Sequence, residues 1–276
     1  MASTNQSSDH ELTTRPGALR FADINHVYGQ GVSANPALGP IDLDVPGGEF
    51  LCIVGASGCG KSTLLRLIAG FTPATYGSIT IDGQTITSPG ADRGMVFQQP
   101  TLFPWRSVRG NVELALKLRG YPREERRAEA ERLLKQVGLG DAMNRRTYHL
   151  SGGMQQRCAI ARALAGDPNV LLMDEPFGAL DAITREHMQQ ELHALWAETR
   201  KTIVFVTHSV DEALVLGTRA IVLGGRPGHI LLDLPLKLQR DTEGDTHHDV
   251  HYAELRSQIS GAMETDYLRS QDEASP

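Results

Sequence analysis

The sequence predicts an α/β fold: a largely parallel sheet, an antiparallel β portion and an inserted block of helices. Three observations carry this reading. Short apolar runs (FLCIV, NVLLM, TIVFV and AIVL) recur along the chain, with helix-period segments between them. SITIDGQTI reads as an antiparallel hairpin turning at Asp82-Gly83. Between them, residues of about 107–162 become charged and helical.

In chain order, residues 1–17 are polar and end in Pro16-Gly17, which predicts a disordered leader. They contain no apolar stretch of the kind a secretory signal needs. LRFADINHVYG and the segment around IDLDV alternate as strands do, and EFLCIVG is a short apolar run closing on a glycine, as a buried strand would. STLLRLIAG places Leu64, Leu65, Ile68 and Ala69 at helical spacing and is closed by Gly70. NVELALKLRG and YPREERRAEAERLLKQVGL form the helical block, and a further helix between Ala182 and Thr199 separates two of the apolar runs. Alternation of strands with helices requires parallel pairing. Residues 18–238 are therefore expected as one catalytic domain and 239–276 as a polar tail with a short helix around YAELRSQI.

A chain of 276 residues buries a sizeable core. With 27 Lys and Arg against 33 Asp and Glu the net charge is −6, which argues against nucleic acid as the main partner. Three cysteines, Cys52, Cys59 and Cys158, are too few and odd in number for a disulfide framework and suit a reducing compartment. No stretch reaches the roughly 18 apolar residues that span a membrane.

The sharpest local signal is GASGCGKST: Gly55, Ala56, Ser57, Gly58, Cys59, Gly60, Lys61, Ser62 and Thr63. It matches G-x-x-x-x-G-K-[ST], between a strand and a helix as that motif requires. The glycines let successive backbone N–H groups point into one concavity, and the helix start adds its positive end, so the loop is expected to hold phosphates. Lys61 is expected at the β- and γ-phosphates of ATP and the Ser62 hydroxyl on Mg²⁺. The thiol of Cys59 has no part in this chemistry. A carboxylate is also needed for the metal. In VLLMDE, an apolar run ends in Asp174, expected to organise Mg²⁺, and Glu175, placed to act as general base on water. Alone, such a run is a strand reaching solvent; beside a phosphate loop it reads as chemistry.

LSGGMQQR is more specific still. Ser151, Gly152 and Gly153 open a helix, where a hydroxyl and bare amides form another anion site. Together with the phosphate loop and DEP it resembles the signature of ATP-binding cassette (ABC) proteins. The resemblance covers roughly residues 18–235. It implies a head-to-tail homodimer in which each ATP lies between one subunit's phosphate loop and the other's signature residues, Ser151, Gly152, Gly153 and Gln155. It further implies that Gln98 in MVFQQP touches Mg²⁺ and water, that Asp181 in FGALD lies at the dimer seam, that His208 in VFVTHS contacts the γ-phosphate, and that Tyr28 in HVYG stacks on adenine.

Two kinds of cassette protein compete: the energising subunit of a transporter, and an ATPase acting on nucleic acid or ribosomes. One cassette, a short helical block and an acidic balance favour the transporter. So does PTLFPWRSV, where Phe103, Pro104 and Trp105 follow the Gln98 segment and resemble the groove that receives a membrane partner. SPGADRGMVFQQPTLFPWRSV and GGRPGHI resemble the ATPases of nitrate, sulfonate and taurine importers. Taurine is the expected solute, with other sulfonates or nitrate as alternatives. The implied partners are two transmembrane permease subunits and a periplasmic solute-binding protein, at the cytoplasmic face of the inner membrane.

Overall fold

A computed structural model describes residues 15–178, 180–238, 246 and 249–272. The expected leader lies outside the described residues as far as position 14. Its last residues are fixed: the Gly17 N–H donates to both carboxylate oxygens of Asp82 at 2.8 and 2.9 Å.

Strands β1 (Leu19–Tyr28) and β2 (Asn35–Val45) pair antiparallel. Strand β3 (Phe50–Val54) then leads into helix α1 (Lys61–Ala69). The hairpin of β4 (Tyr76–Ile81) and β5 (Gln84–Thr85) turns at Asp82-Gly83, both in the left-handed region, and completes a four-stranded antiparallel sheet in the order β2-β1-β4-β5. After β6 (Arg93–Val96) comes the helical block: α2 (Val108–Leu118), α3 (Arg123–Gln136) and α4 (Gly152–Ala165). The chain re-enters the frame with β7 (Val170–Asp174), α5 (Ala182–Thr199), β8 (Thr202–Thr207), α6 (Val210–Leu216), β9 (Arg219–Gly224) and β10 (His229–Pro235). The second sheet runs β10-β9-β3-β8-β7-β6, parallel except for β10. The largely parallel core, antiparallel sheet and inserted helices are those the sequence predicts.

Every residue of β3 and β8 is buried, because both faces of the parallel sheet are covered. The period of two then assigns alternate side chains to two cores. Phe50, Cys52 and Val54 join the core beneath the helical block and α5, while Leu51 and Ile53 face α1 and the antiparallel sheet. Each such apolar side chain contributes roughly 1.5–3 kcal/mol by burial. The Trp196 indole N–H, at the far end of α5, donates to the Gly48 carbonyl at 3.0 Å and fixes the entry to β3.

The sequence reading differs at several elements. Strands β6 and β10 and the short α6 were not anticipated: β6 is only four residues, β10 is partly exposed, and α6 is only seven residues and buried around most of its girth. The helix expected as short is the 21-residue α7 (Tyr252–Asp272). It packs on α6 and β9, burying Tyr252 and Ile259. The Tyr252 hydroxyl and Arg256 Nε both donate to Asp211 Oδ1, at 2.9 and 2.7 Å.

The segment after β6 is stitched to the helical block. Asn111 is fully buried on α2; its Oδ1 accepts from the Phe103 N–H at 2.8 Å, and its Nδ2 donates to the carbonyls of Phe103 and Ser107. Asn111→Ala strands three buried or half-buried polar groups at once. It is expected to lower stability by about 2 kcal/mol, read as a shift of the urea midpoint at constant slope; an unchanged midpoint would mean that the bonds carry no net stability.

Candidate nucleotide site

Gly55–Ser62 wraps from the end of β3 to the start of α1. A side chain at Gly55 would meet the Leu223 carbonyl oxygen at 2.1 Å, and one at Gly60 would meet Leu38 Cδ2 at 2.5 Å and the Ala37 oxygen at 2.9 Å. Gly60 also has φ +97°, so both positions require glycine. The loop curls around Lys61, whose Nζ is buried and donates to the carbonyls of Gly55 at 2.7 Å and Ala56 at 2.8 Å. Ser57, Gly58 and Ser62 are exposed on the open side, with Ala56 and Thr63 half-buried. Cys59 points inward; burial pushes its thiol above the ordinary range against the pull of Lys61. Cys52 and Cys158 are core residues, and burial raises Cys158 to about 12.

Parallel pairing sets the carboxylates beside the loop. Asp174 ends β7 and accepts from the Ser62 hydroxyl at 3.1 Å. Burial raises the Asp174 carboxyl; the Ser62 hydrogen bond opposes this and the neighbouring Glu175 charge adds to it. Glu175 takes φ +43°, an uncommon conformation for a side-chain-bearing residue, held by its N–H donating to the Val206 carbonyl at 2.9 Å. Its Oε2 accepts from Gln98 Nε2 at 3.1 Å and lies 3.3 Å from His208 Nδ1. Gln98, Asp174, Glu175 and His208 therefore meet with Lys61 and Ser62 although they come from the ends of four strands.

The Tyr28 hydroxyl lies 3.3 Å from Thr63 Oγ1, and its half-exposed ring stands edge-on to His26 at 4.5 Å. An exposed ring over the start of α1 offers a flat face to an aromatic base.

The remaining predicted residues sit apart. Ser151 caps α4, accepting from the Met154 N–H, with Gly152 exposed beside it. Gln155 turns inward, donating to the Thr147 and Leu150 carbonyls at 3.1 and 3.4 Å. Asp181 caps α5 by accepting from the Thr184 N–H at 3.0 Å, a bond that lowers its carboxyl pKa. Among the described residues, neither group hydrogen-bonds to the Lys61–Glu175 cluster.

Several supporting residues escaped the sequence reading. Gln156, buried on α4, donates to the Phe97 carbonyl at 3.1 Å, and Arg162 donates to the Thr101 carbonyl at 2.7 Å, so α4 braces the Gln98 segment at two points. Glu212 accepts from the Thr207 hydroxyl beneath His208 and lies 3.8 Å from Arg185, which itself donates to the Leu180 carbonyl. Burial raises the Glu212 carboxyl. No local motif marks these residues; only their burial at strand and helix ends does.

Hard oxygen donors at Ser62 and Asp174, with the Gln98 amide nearby, suit Mg²⁺ shared with phosphate oxygens. Among the described residues no three His, Cys, Asp or Glu gather to hold a metal by themselves. The loop, the carboxylate pair and the aromatic are the parts that a site for phosphoryl transfer needs.

Comparison with known proteins gives the family. The ABC transporter family description matches residues 38–178, just over half of the chain. Taurine import ATP-binding protein TauB of Rhizobium johnstonii is 49% identical over 249 residues, covering 88% of this chain and 94% of that protein. Nitrate import ATP-binding protein NrtD of a Synechocystis species is 50% identical over 225 residues, covering 82% and 85%. Among solved structures, the dimeric post-hydrolysis state of the ATP-binding cassette MJ0796 bound to ADP and Pi superposes with a TM-score of 0.73 at 36% identity, covering 79% of this chain and 99% of that one. The chain belongs to the ABC transporter family.

Proposed function

We propose that this chain is the ATP-hydrolysing subunit of a taurine importer. The observation that carries the enzymatic part is the network in which Glu175 Oε2 is held by Gln98 and His208 beside the Ser62–Asp174 pair. Relatives named for taurine import support the solute, and the nitrate relative keeps nitrate, with other sulfonates, as the alternative.

In this reading the loop amides and Lys61 bind the β- and γ-phosphates of ATP, and Tyr28 stacks on adenine. Ser62, Asp174 and Gln98 hold Mg²⁺, which when bound offsets the charge of the phosphate oxygens. Glu175 orients water and accepts its proton as the oxygen attacks the γ-phosphorus and the bond to the bridging oxygen breaks, leaving ADP and phosphate. Gln98 and His208 keep the carboxylate aimed. Ser151, Gly152 and Gly153, with Gln155 bracing the turn before them, serve the site of a second copy in a homodimer, with Asp181 at the seam. Residues 18–238 act as the cassette, with 107–162 as its helical part. The exposed Trp105, packed on Phe103 at 5.5 Å between ring centres, offers an anchor for one of two permease subunits. A periplasmic binding protein delivers the solute. No helix among the described residues is long and apolar enough to cross a membrane, so the permease holds the subunit at the cytoplasmic face. Closure on ATP and release after hydrolysis make the nucleotide a removable interface ligand.

Glu175→Gln is expected to keep ATP binding and lose turnover by about a hundredfold or more, whereas Lys61→Ala loses binding as well; equilibrium titration and phosphate release separate the two, and wild-type turnover in Glu175→Gln removes the base assignment. Asp174 carries a second expectation. Its carboxyl is raised in the fold, so the native state holds the proton more tightly than the unfolded chain and stability falls as pH rises through the carboxylate range. Asp174→Asn is accordingly expected to unfold at higher urea than wild type at neutral pH, with the difference vanishing below about pH 4, while losing Mg²⁺-dependent nucleotide binding; a lower midpoint at neutral pH contradicts it. For the solute, a strain lacking the gene and any second uptake route is expected to fail on taurine as sole sulfur source and grow on sulfate, with rescue by the intact gene only. Growth on taurine would move the assignment to another sulfonate or nitrate.

A further inference from the structure

The turn between β9 and β10 is wedged against the phosphate loop. A side chain at Gly228 would meet the Cys59 carbonyl oxygen at 2.0 Å. The Gly228 oxygen accepts from the Gly39 N–H at 2.8 Å, and the Gly228 N–H donates to Ala37 at 3.1 Å, so β2 fixes the turn from one side. From the other side, Asp266 of α7 accepts from the Gly225 N–H at 3.0 Å. This framework carries Arg226. Its Nη2 lies 3.2 Å, and its guanidinium carbon 3.8 Å, from the position a β-carbon would take on Gly58, in the exposed lip of the loop. Among the described residues no hydrogen bond or ion pair engages the Arg226 side chain. An exposed, uncommitted arginine is ordinarily just solvated. Here its turn is held on three sides, and its charge rests on the backbone proposed to cradle phosphates.

We propose that Arg226 is an additional cation of the nucleotide site, strengthening the hold on the phosphates across Gly58, and that Asp266 of α7 is the positioning residue for its turn. The inference rests on the nucleotide reading of the loop. Arg226 carries a delocalised guanidinium charge whose planar fork of N–H donors suits phosphate oxygens. It lies near the surface, so the contribution is modest and screened by salt. The nearby Asp266 carboxylate acts in the opposite electrical sense, which separates its two possible effects. If it acted only through charge, removing it would tighten nucleotide binding; if it holds the turn, removing it loosens binding.

The test is calorimetric titration of the full chain with Mg²⁺ and the non-hydrolysable analogue AMP-PNP, at low and at high salt. Wild type is expected to bind and Lys61→Ala is not. Arg226→Gln is expected to weaken binding about threefold at low salt, with the difference shrinking at high salt and an unchanged melting temperature. Arg226→Lys should restore most of the loss, because the charge is kept. Asp266→Ala should weaken binding despite losing a negative charge. Wild-type affinity in Arg226→Gln, a loss independent of salt, or no rescue by lysine overturns the role of Arg226. Tighter or unchanged binding in Asp266→Ala overturns the role of α7. If wild type itself fails to bind, or Lys61→Ala binds equally, the nucleotide reading falls and this inference with it.

Discussion

The close approach of backbones around Gly55–Gly60 constrains everything else in the molecule. At three points the loop touches neighbouring main chain where even a methyl group has no room: Gly55 against β9, Gly60 against β2, and Cys59 against Gly228. The loop is therefore the place where the two sheets and the β9–β10 turn meet. Its curvature places two carbonyls on the buried ammonium of Lys61, which without such partners would be too expensive to desolvate. The main-chain N–H groups of such a glycine-rich turn at a helix start are suited to an anion.

Around that loop, strand order performs the assembly. The ends of β3, β7 and β8 lie side by side, and β6 adds the segment carrying Gln98. Ligands of open α/β sheets gather at the carboxyl ends of strands for this reason: adjacent parallel strands deliver distant residues to one edge. Glu175 adds a local device. Its positive φ is uncommon for a residue with a side chain, and the bond from its N–H to β8 sustains it. The resulting turn lifts the carboxylate to meet an amide and an imidazole together.

The helical block is joined to this edge by more than its covalent links. Gln156 and Arg162 of α4 and Asn111 of α2 hold the main chain of Phe97, Thr101 and Phe103 in succession. The segment thus runs from Gln98, at the carboxylate, to the exposed Trp105 with its backbone gripped along the way. A displacement of the helical block cannot leave Gln98 where it is, because buried or charge-assisted hydrogen bonds would have to break.

The Gly55–Gly60 loop, the strand before it, the helix after it, the Asp82-Gly83 hairpin and the helix from Ala182 to Thr199 were all legible in the sequence. Each is specified by residues adjacent in the chain, through periodicity, glycine spacing or turn chemistry. The adjacency of Asp174 and Glu175 at the end of an apolar strand was legible for the same reason, and the roles expected of Gln98 and His208 came only through family resemblance, since a single glutamine or histidine carries no local signal. Tertiary structure alone decided that Gln98 and His208 converge on one oxygen of Glu175, that Gln155 faces inward while Gln156 braces Phe97, that Glu212 lies beneath His208, and that Arg226 reaches Gly58. It also decided that the helix expected around YAELRSQI continues to Asp272 and docks through Tyr252 and Ile259. The physical reason is common to all of these: they are contacts between residues far apart in sequence, set by strand register and by which faces of the sheet are covered, and neither quantity is written in any short stretch of the chain.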